Sequence, residues 1–464
     1  MTALERRLGA PGAIVVGLCA MLGAGVFFVW TPAVAVAGTW LWLALLLAAV
    51  VAIANALSTA QLAMRHPVSG GGYAYARAEL SPTAGFAAGW LFLTGKTCSA
   101  AAIALVAASH LWPGAQQPIA IVAIVALALL NAQGIRVTAW VTWVVVSLAL
   151  VGIALALAWT AADGPTWGSW SAYAPLSGQV WTPGVGSCDV PTTEDGSFGF
   201  VAGTVDCHDT GALATGPGPL AVLQAAGLLF FAFAGYARMA TLGEEVRDPR
   251  RTLPVAILGA LGIVLVLYGL LAWATQDAYA GALVWPDTPV ASLVGDPVLH
   301  AVLVVVAAIA CLGSLMGILA GLSRTSLAMA RDGELPGALA RISSRTRAPA
   351  VAEGAMAVLA IVLVLVAPPV VLVALSSTSV LAYYAIGHVG ALRMRRAAGG
   401  ELSRDAWVPA WISVLGLVLC VALVVTLPWY GVVASALWLG VALAVRALRR
   451  RRADGPGGRP PSPS

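Results

Sequence analysis

The stretch MLGAGVFF, residues 21–28, lies in the middle of the first long apolar run of this 464-residue chain. Two glycines, Gly23 and Gly25, flank Ala24 at the depth where a membrane helix is most buried. Glycine weakens helices, so a pair of them at this depth needs a reason. One reason is close packing of neighbouring helices. The other is an interruption of the helix that exposes backbone N–H and C=O groups.

The composition indicates a membrane protein. Hydrophobic residues make up 60% of the chain and charged residues 10%, and the mean hydropathy is +0.90. So few charges do not cover the surface of a soluble protein of this length. Repeated apolar runs of about 20 residues match the length that a helix needs to cross a bilayer. The chain is therefore predicted to be an all-α polytopic membrane protein.

Polar breaks divide the chain into about twelve predicted spans. They lie at 11–36, 39–62, 82–110, 118–135, 138–161, 220–241, 253–275, 298–329, 349–366, 369–391, 407–427 and 430–447. The first run is too long and too rich in glycine for a cleaved signal sequence. We predict one transmembrane domain over 1–448 and a disordered cytoplasmic tail over 449–464, where the sequence ends in GPGGRPPSPS.

The basic residues predict the orientation. With the N-terminus inside, the loops on the inner side hold nearly all of the arginines, while the outer loops 162–219 and 276–297 contain neither Lys nor Arg. This distribution satisfies the positive-inside rule and places both termini in the cytoplasm of a cell-membrane protein. The net charge of +5 follows from this bias and does not indicate nucleic-acid binding. The outer loop also contains Cys188 and Cys207, on the side where a disulfide can form.

A second candidate interruption lies in the sixth span. The stretch LLFFAFAGYARMATLGEEVRDPRRTLP, residues 228–254, places small residues and Gly235 in the middle of the span. If spans 1–5 and 6–10 form an inverted repeat, this segment corresponds to residues 21–28. Paired interruptions are the best sequence pointer to the binding site of a secondary transporter.

Four motifs in the same order resemble one family. MLGAGVFF resembles the G-[SA]-G-[IV]-F signature of amino acid permeases in the amino acid–polyamine–organocation (APC) superfamily. The sixth span and its loop resemble the family pattern E-E-x-x-[ND]-P-x-R-x-[IL]-P, through Glu244, Glu245, Asp248, Pro249, Arg251 and Pro254. SRTSLAMARDGELP, residues 323–336, and VSGGGYAYARAELSPTAGFAAGWLF, residues 68–92, resemble the loop after span eight and the region of spans two and three.

The resemblance implies a LeuT-like 5+5 inverted repeat with spans eleven and twelve at the periphery. It also implies a site that binds both backbone ends of an amino acid. N–H groups for the α-carboxylate would come from Gly23, Ala24 and Gly25. Carbonyls for the α-ammonium would come from Met21, Phe231 and Ala234. Gly235 would allow the sixth span to break, and Phe231 and Phe233 would shape or gate the pocket.

Lys96 is the only lysine of the chain and lies near the middle of span three. It is either a snorkelling side chain or a coupling residue that replaces a sodium ion or carries a proton. Several proton-coupled relatives have a lysine in the fifth span, whereas residues 138–161 contain none. Either Lys96 takes that role or transport is uncoupled or driven by exchange. Ser323 is a second candidate for the coupling site.

Arg238 follows the second interruption and has two interpretations. It either reaches the substrate vestibule, where it disfavours cationic substrates, or pairs with Glu245 on the same helical face. The hydroxyl groups of the eighth span, including Ser314 and Ser323, either line the site or bond to their own helix.

An enzyme is a poor interpretation of this sequence. The five histidines fall at span ends or in a loop without metal-ligand spacing, and no nucleophile–base pair or phosphate loop is present. We predict no cofactor and no metal. The predicted function is secondary active transport of amino acids, preferably neutral ones, through the bilayer, with a proton as the candidate coupling ion. Transport of cationic amino acids or polyamines, export, exchange and a non-transporting sensor remain alternatives.

Overall fold

The computed structural model describes residues 8–68, 70–133, 135–163, 179–182, 186–189, 206–208, 218–243, 246–279, 288–397, 399 and 407–453. The first half contains helices α1 (Ala10–Met21), α2 (Ala24–Phe27), α3 (Trp30–Ala37), α4 (Leu41–Arg65), α5 (Gly72–Glu79), α6 (Pro82–Leu111), α7 (Gln116–Ala132) and α8 (Ile135–Asp163). The second half contains α9 (Pro219–Phe233), α10 (Ala237–Ala240), α11 (Pro249–Tyr279), α12 (Pro297–Arg331), α13 (Ala350–Val366), α14 (Pro369–Ala397), α15 (Ala410–Thr426) and α16 (Trp429–Ala453).

The helices account for all twelve predicted spans. The first span is divided into α1, α2 and α3, and the sixth into α9, a 3₁₀ turn at Ala234–Tyr236, and α10. Spans two to five are α4, α6, α7 and α8, and spans seven to twelve are α11 to α16. In the described chain, 8 helices are long and apolar enough to cross a membrane, and four shorter apolar helices accompany them. The prediction of an all-α polytopic membrane protein is confirmed.

Local sequence signals determine where several spans begin. Proline occupies the first turn of α6, α9 and α12, where its missing N–H removes no helical hydrogen bond. The side chain of Ser81 accepts from the N–H of Ala84, and that of Asp296 accepts from the N–H of Leu299. These caps satisfy N–H groups that have no partner within the helix.

The third span, α6, forms the centre of the bundle. In its most apolar window, 94% of the residues are buried, compared with 22% in the window of α16. α6 packs mainly against α14 and α12. α16 lies outside them and continues to Ala453, beyond the predicted domain boundary at residue 448. The predicted tail residues 454–464 lie outside the described residues.

A buried polar cluster joins α4, α14 and α15. His388 lies inside α14 because this helix extends past the predicted end of span ten, so its predicted position at a span end is wrong. Its Nε2 atom lies 2.6 Å from Oδ1 of Asn55, and its Nδ1 atom lies 3.0 Å from Oγ of Ser58. Ser58 also contacts Ser413 Oγ at 3.1 Å. Each polar atom of the imidazole thus has a partner, as a buried ring requires.

Two of the four family motifs meet in one ion-pair cluster. Tyr73 of α5 donates to Asp332 at 2.5 Å, and Arg77 lies 3.3 Å from Glu334 in the loop after α12. Arg446 of α16 holds Glu334 with two hydrogen bonds of 2.6 and 2.8 Å. Burial opposes ionisation of Glu334, but the hydrogen bonds and charges of the arginines outweigh it and lower the pKa of this carboxyl. The motifs therefore tie α16 to the loops between spans.

The long loop between α8 and α9 contains three short strands. They are β1 (Gln179–Thr182), β2 (Gly186–Asp189) and β3 (Asp206–His208), and they form an antiparallel sheet in the order β1-β2-β3. The register places Cys188 directly opposite Cys207. Opposed residues of an antiparallel pair have Cα atoms about 4.5–5.5 Å apart, within the range of disulfides.

We predict that Cys188 and Cys207 form a disulfide, because the register brings their backbones together and the loop faces the oxidising side in the predicted orientation. The oxidation state of this pair is measured by intact-protein mass spectrometry before and after reduction, with alkylation of free thiols. Cys19 and Cys311, which are buried free cysteines, serve as internal controls that take up label only after denaturation. Alkylation of Cys188 and Cys207 without prior reduction would contradict the prediction.

Candidate functional site

The first span is interrupted at the predicted position. α1 ends at Met21, Leu22 and Gly23 are non-helical, and α2 begins at Ala24. The carbonyl of Gly23 accepts from the N–H groups of Val26 and Phe27, which starts the second half of the span. The described hydrogen bonds include none in which the N–H of Gly23 or Gly25 donates. Among the described residues, these two donors therefore lack a backbone acceptor.

The sixth span is interrupted less sharply, by a 3₁₀ turn and not by non-helical residues. The α-helical hydrogen bonds end at Phe233, and the chain passes through the 3₁₀ turn at Ala234–Tyr236 before α10 begins at Ala237. Ala234, Gly235 and Tyr236 are all buried. Carbonyls of this segment are consequently available to side chains and to ligands.

The two interruptions lie against each other, backbone to backbone. A Cβ atom added at Gly25 would lie 2.5 Å from the Cα atom of Ala232, and one added at Gly235 would overlap the carbonyl of Ala20. A side chain at Gly23 would overlap Ser314 of α12. Both interpretations of the glycines therefore hold in this structure: they interrupt the helix, and they allow close packing.

The side chains of Tyr268 and Ser314 hydrogen-bond to carbonyls of the interruptions. The Tyr268 hydroxyl of α11 lies 2.8 Å from the Met21 carbonyl and 3.1 Å from the Ala232 carbonyl, so it bridges both spans. Ser314 donates to the Ala20 carbonyl at 3.2 Å. These bonds satisfy backbone groups that lipid cannot satisfy. The sequence analysis missed Tyr268, whose only signal is a tyrosine within the apolar run VLVLYGLLAW.

Lys96 reaches the second interruption. Its Nζ atom donates to the carbonyl of Ala234 at 2.9 Å, and the residue is only 5% exposed. The described ion pairs include no carboxylate partner for it. Lys96 is therefore a buried amino group at the centre of the bundle and not a snorkelling side chain.

The aromatic residues of the predicted site lie in α9. Phe233 is fully buried, and its ring centroid lies 4.8 Å from that of Tyr268. Trp30 of α3 packs edge-on against the same tyrosine, with centroids 5.9 Å apart. Phe231 is buried as well, at 7% exposure. Phe233, Tyr268 and Trp30 thus form one aromatic wall where the second half of span one meets span six.

Ser323 is not brought to the interruptions by a described contact. It donates to the Ala320 carbonyl of its own helix at 3.0 Å, and it lies within hydrogen-bonding reach of Glu353 on α13. Glu353 is buried and accepts from Nδ2 of Asn131 on α7 at 2.8 Å. The sequence analysis missed Glu353, although an acidic residue in the apolar run 349–366 was a signal. The serine of α12 that touches the first interruption is Ser314.

Arg238 is buried below the second interruption. It donates to the hydroxyl of Thr241 at 2.7 Å, and its Cδ atom packs against Gly321 of α12. Its predicted partner Glu245 lies outside the described residues. The arginine is thus held between the sixth and eighth spans.

The divided first and sixth spans define a helical membrane transporter with the LeuT fold. Over 92% of this chain and 99% of the other, the structure is similar to that of MhsT in complex with L-phenylalanine, with a TM-score of 0.56 and 14% identity. The amino acid permease family model matches residues 8–445. The chain belongs to this family, which confirms the resemblance to the APC superfamily.

Three named relatives differ in their sequence identity to this chain. An uncharacterised transporter of Mycobacterium tuberculosis is 40% identical, over 96% of this chain and 92% of its own. The branched-chain amino acid permease BcaP of Bacillus subtilis is 23% identical, over 97% and 94%. The vacuolar cationic amino acid transporter 4 of Arabidopsis thaliana is 28% identical, over 77% of this chain and 58% of its own. Together with the family match, these relatives support the prediction of an amino acid transporter.

We predict that Gly25→Ala destabilises the protein by about 1–3 kcal/mol, because its Cβ overpacks against the backbone of Ala232. Amino acid binding should be lost as the two interruptions move apart. Thermal unfolding with and without ligand measures both effects. Gly317→Ala on α12, where a Cβ meets no atom within 4 Å, is the matched control and should change neither. Full affinity in the Gly25 variant would contradict this assignment.

A second variant tests the bridge between the interruptions. Tyr268→Phe removes the hydroxyl shared by the Met21 and Ala232 carbonyls and should lower stability by about 1–2 kcal/mol. Ligand affinity should fall with it. Thr275→Val is the control on the same helix, because its hydroxyl bonds only to carbonyls of α11. Equal behaviour of the two variants in thermal unfolding and ligand titration would show that the bridge has no special role.

Proposed function

We propose that this protein is a secondary active transporter that moves neutral amino acids across the cell membrane by alternating access around the two interrupted spans. The observation that carries this proposal is the contact between the interruptions, with N–H donors on one side and carbonyl acceptors on the other. An amino acid has the complementary ends, a carboxylate and an ammonium. Half-helix ends near the midplane serve this purpose in secondary transporters.

The proposed binding residues follow from these positions. The N–H groups of Gly23, Ala24 and Gly25 bind the α-carboxylate, and the carbonyls of Met21, Phe231 and Ala234 bind the α-ammonium. Gly235 permits the interruption of the sixth span by its close approach to Ala20. Phe231 and Phe233 shape the pocket for the substrate side chain.

Charge supports a neutral substrate. Lys96 and Arg238 are both buried at or next to the second interruption, and a cationic side chain would be repelled there. The described residues of the two interruptions, 21–28 and 231–238, include no carboxylate that would bind a cation. Among the named relatives, a branched-chain amino acid permease fits this proposal, whereas the cationic amino acid transporters supply the alternative.

The proposed transporter also has a coupling ion and an orientation in the membrane. The coupling ion is a proton carried by Lys96, since its buried ammonium has no acidic partner among the described ion pairs. Ser323 takes part in coupling only through its contact with Glu353. Both termini lie in the cytoplasm, because the basic residues are concentrated in the loops on that side.

A ligand screen on the purified full chain tests the substrate class. L-leucine and L-phenylalanine should stabilise the protein, by about 2.7 kcal/mol at 100 times the Kd, equally with and without sodium. L-arginine, L-lysine and spermidine should not. Stabilisation by the cationic ligands alone would overturn the neutral class. Uptake by proteoliposomes follows the screen, and binding without any transport would favour a sensor instead.

A further inference from the structure

The Lys96 ammonium makes contact with the proposed amino-group subsite. It carries three N–H donors, and the described contact is the one to the Ala234 carbonyl at 2.9 Å. The side chain comes from α6, the central helix of the bundle, and its charge is buried at the interruption of the sixth span. A primary ammonium of the protein thus occupies a carbonyl that we have proposed for the primary ammonium of the substrate.

A second carbonyl of this subsite already has a partner. Met21 accepts from the hydroxyl of Tyr268, which also lies 3.1 Å from the Ala232 carbonyl beside the subsite. A neutral hydroxyl and an incoming ammonium can share a carbonyl, because each carbonyl has two lone pairs. Two ammonium groups at the same carbonyl repel each other strongly when water is excluded. The substrate ammonium and a charged Lys96 therefore exclude each other.

Among the described residues, no group offsets this repulsion through a contact with Lys96. α6 itself, the helices packed against it and the sixth span place these titratable groups in the interior: Tyr73, Tyr75, Cys98, His110, Tyr236, Arg238, Cys311, Glu353, Tyr383, Tyr384, His388 and Arg446. The described hydrogen bonds and ion pairs join none of them to Nζ of Lys96. Deprotonation of Lys96 consequently removes the repulsion when the substrate binds.

We propose that Lys96 is an internal competitor of the substrate, whose ammonium fills the amino-group subsite of the empty transporter and is displaced when an amino acid binds. On displacement Lys–NH₃⁺ becomes Lys–NH₂, and the proton passes to bulk water. The amino acid enters as a zwitterion, so its own charges are unchanged. This inference rests on the proposed function and adds the direction of its coupling.

The coupling is that of an antiporter. The site holds either a proton on Lys96 or an amino acid, so each full cycle exchanges one for the other across the membrane. A proton gradient directed into the cell then drives amino acids outward. Binding that releases a proton becomes tighter as the pH rises, and the affinity changes by about tenfold per pH unit while Lys96 is protonated in the empty protein.

Titration calorimetry of the detergent-purified full chain measures the proton directly. L-leucine is titrated at one pH in two buffers that differ in ionisation enthalpy, and the difference in heat gives the number of protons released. We expect about one proton per bound amino acid in the wild type. We also expect the des-amino analogue 4-methylpentanoate to bind with no proton release, because it has no ammonium to displace Lys96.

Two variants complete the test. Lys96→Met should bind L-leucine with no proton release and with an affinity that does not depend on pH. Thr97→Val is the neighbouring control and should keep the release, since the Thr97 hydroxyl bonds only to Leu93 of its own helix.

The outcomes separate the two proposals. Binding of L-leucine to the wild type with no proton release, or with proton uptake, overturns the competition and leaves amino acid transport standing. Equal proton release by L-leucine and 4-methylpentanoate overturns it as well, and this comparison needs no variant to fold. If no amino acid binds in the preceding screen, the proposed function fails and this inference fails with it.

Discussion

The contact between the two interrupted spans is the constraint on which the rest of the structure depends. An interrupted helix within a membrane exposes N–H and C=O groups that lipid cannot satisfy, so the interruption must be covered by protein. In this chain each interruption covers the other. Gly25 packs against the backbone of Ala232, and Gly235 packs against the carbonyl of Ala20. No larger residue fits at either glycine without separating the two spans.

The polar groups at this contact are satisfied unequally. Tyr268, Ser314 and Lys96 donate to four carbonyls around the interruptions, whereas the N–H groups of Gly23 and Gly25 have no partner among the described hydrogen bonds. The empty site is thus ready for an anion at one end and occupied by an ammonium at the other. This asymmetry is the basis of both proposals.

The family motifs divide into two physical roles. Those of the first and sixth spans form the interruptions themselves. Those around Tyr73 and Glu334 form an ion-pair cluster that binds the twelfth span through Arg446, so they stabilise the arrangement of loops at one end of the bundle. The lysine at the centre of the third span, at a depth where burying a charge is costly, belongs to neither motif set.

The sequence by itself determined the twelve spans, the two interruptions and the family, because each depends on residues that are close together in the chain. It also singled out Lys96, since a lone lysine in an apolar run is visible without a structure. The contacts of these residues were decided only by the tertiary structure. Tyr268 bridges the two interruptions, and Ser314 instead of Ser323 contacts the first one. A membrane helix is apolar on the faces that meet lipid and on those that meet protein, so its periodicity does not reveal which face points inward.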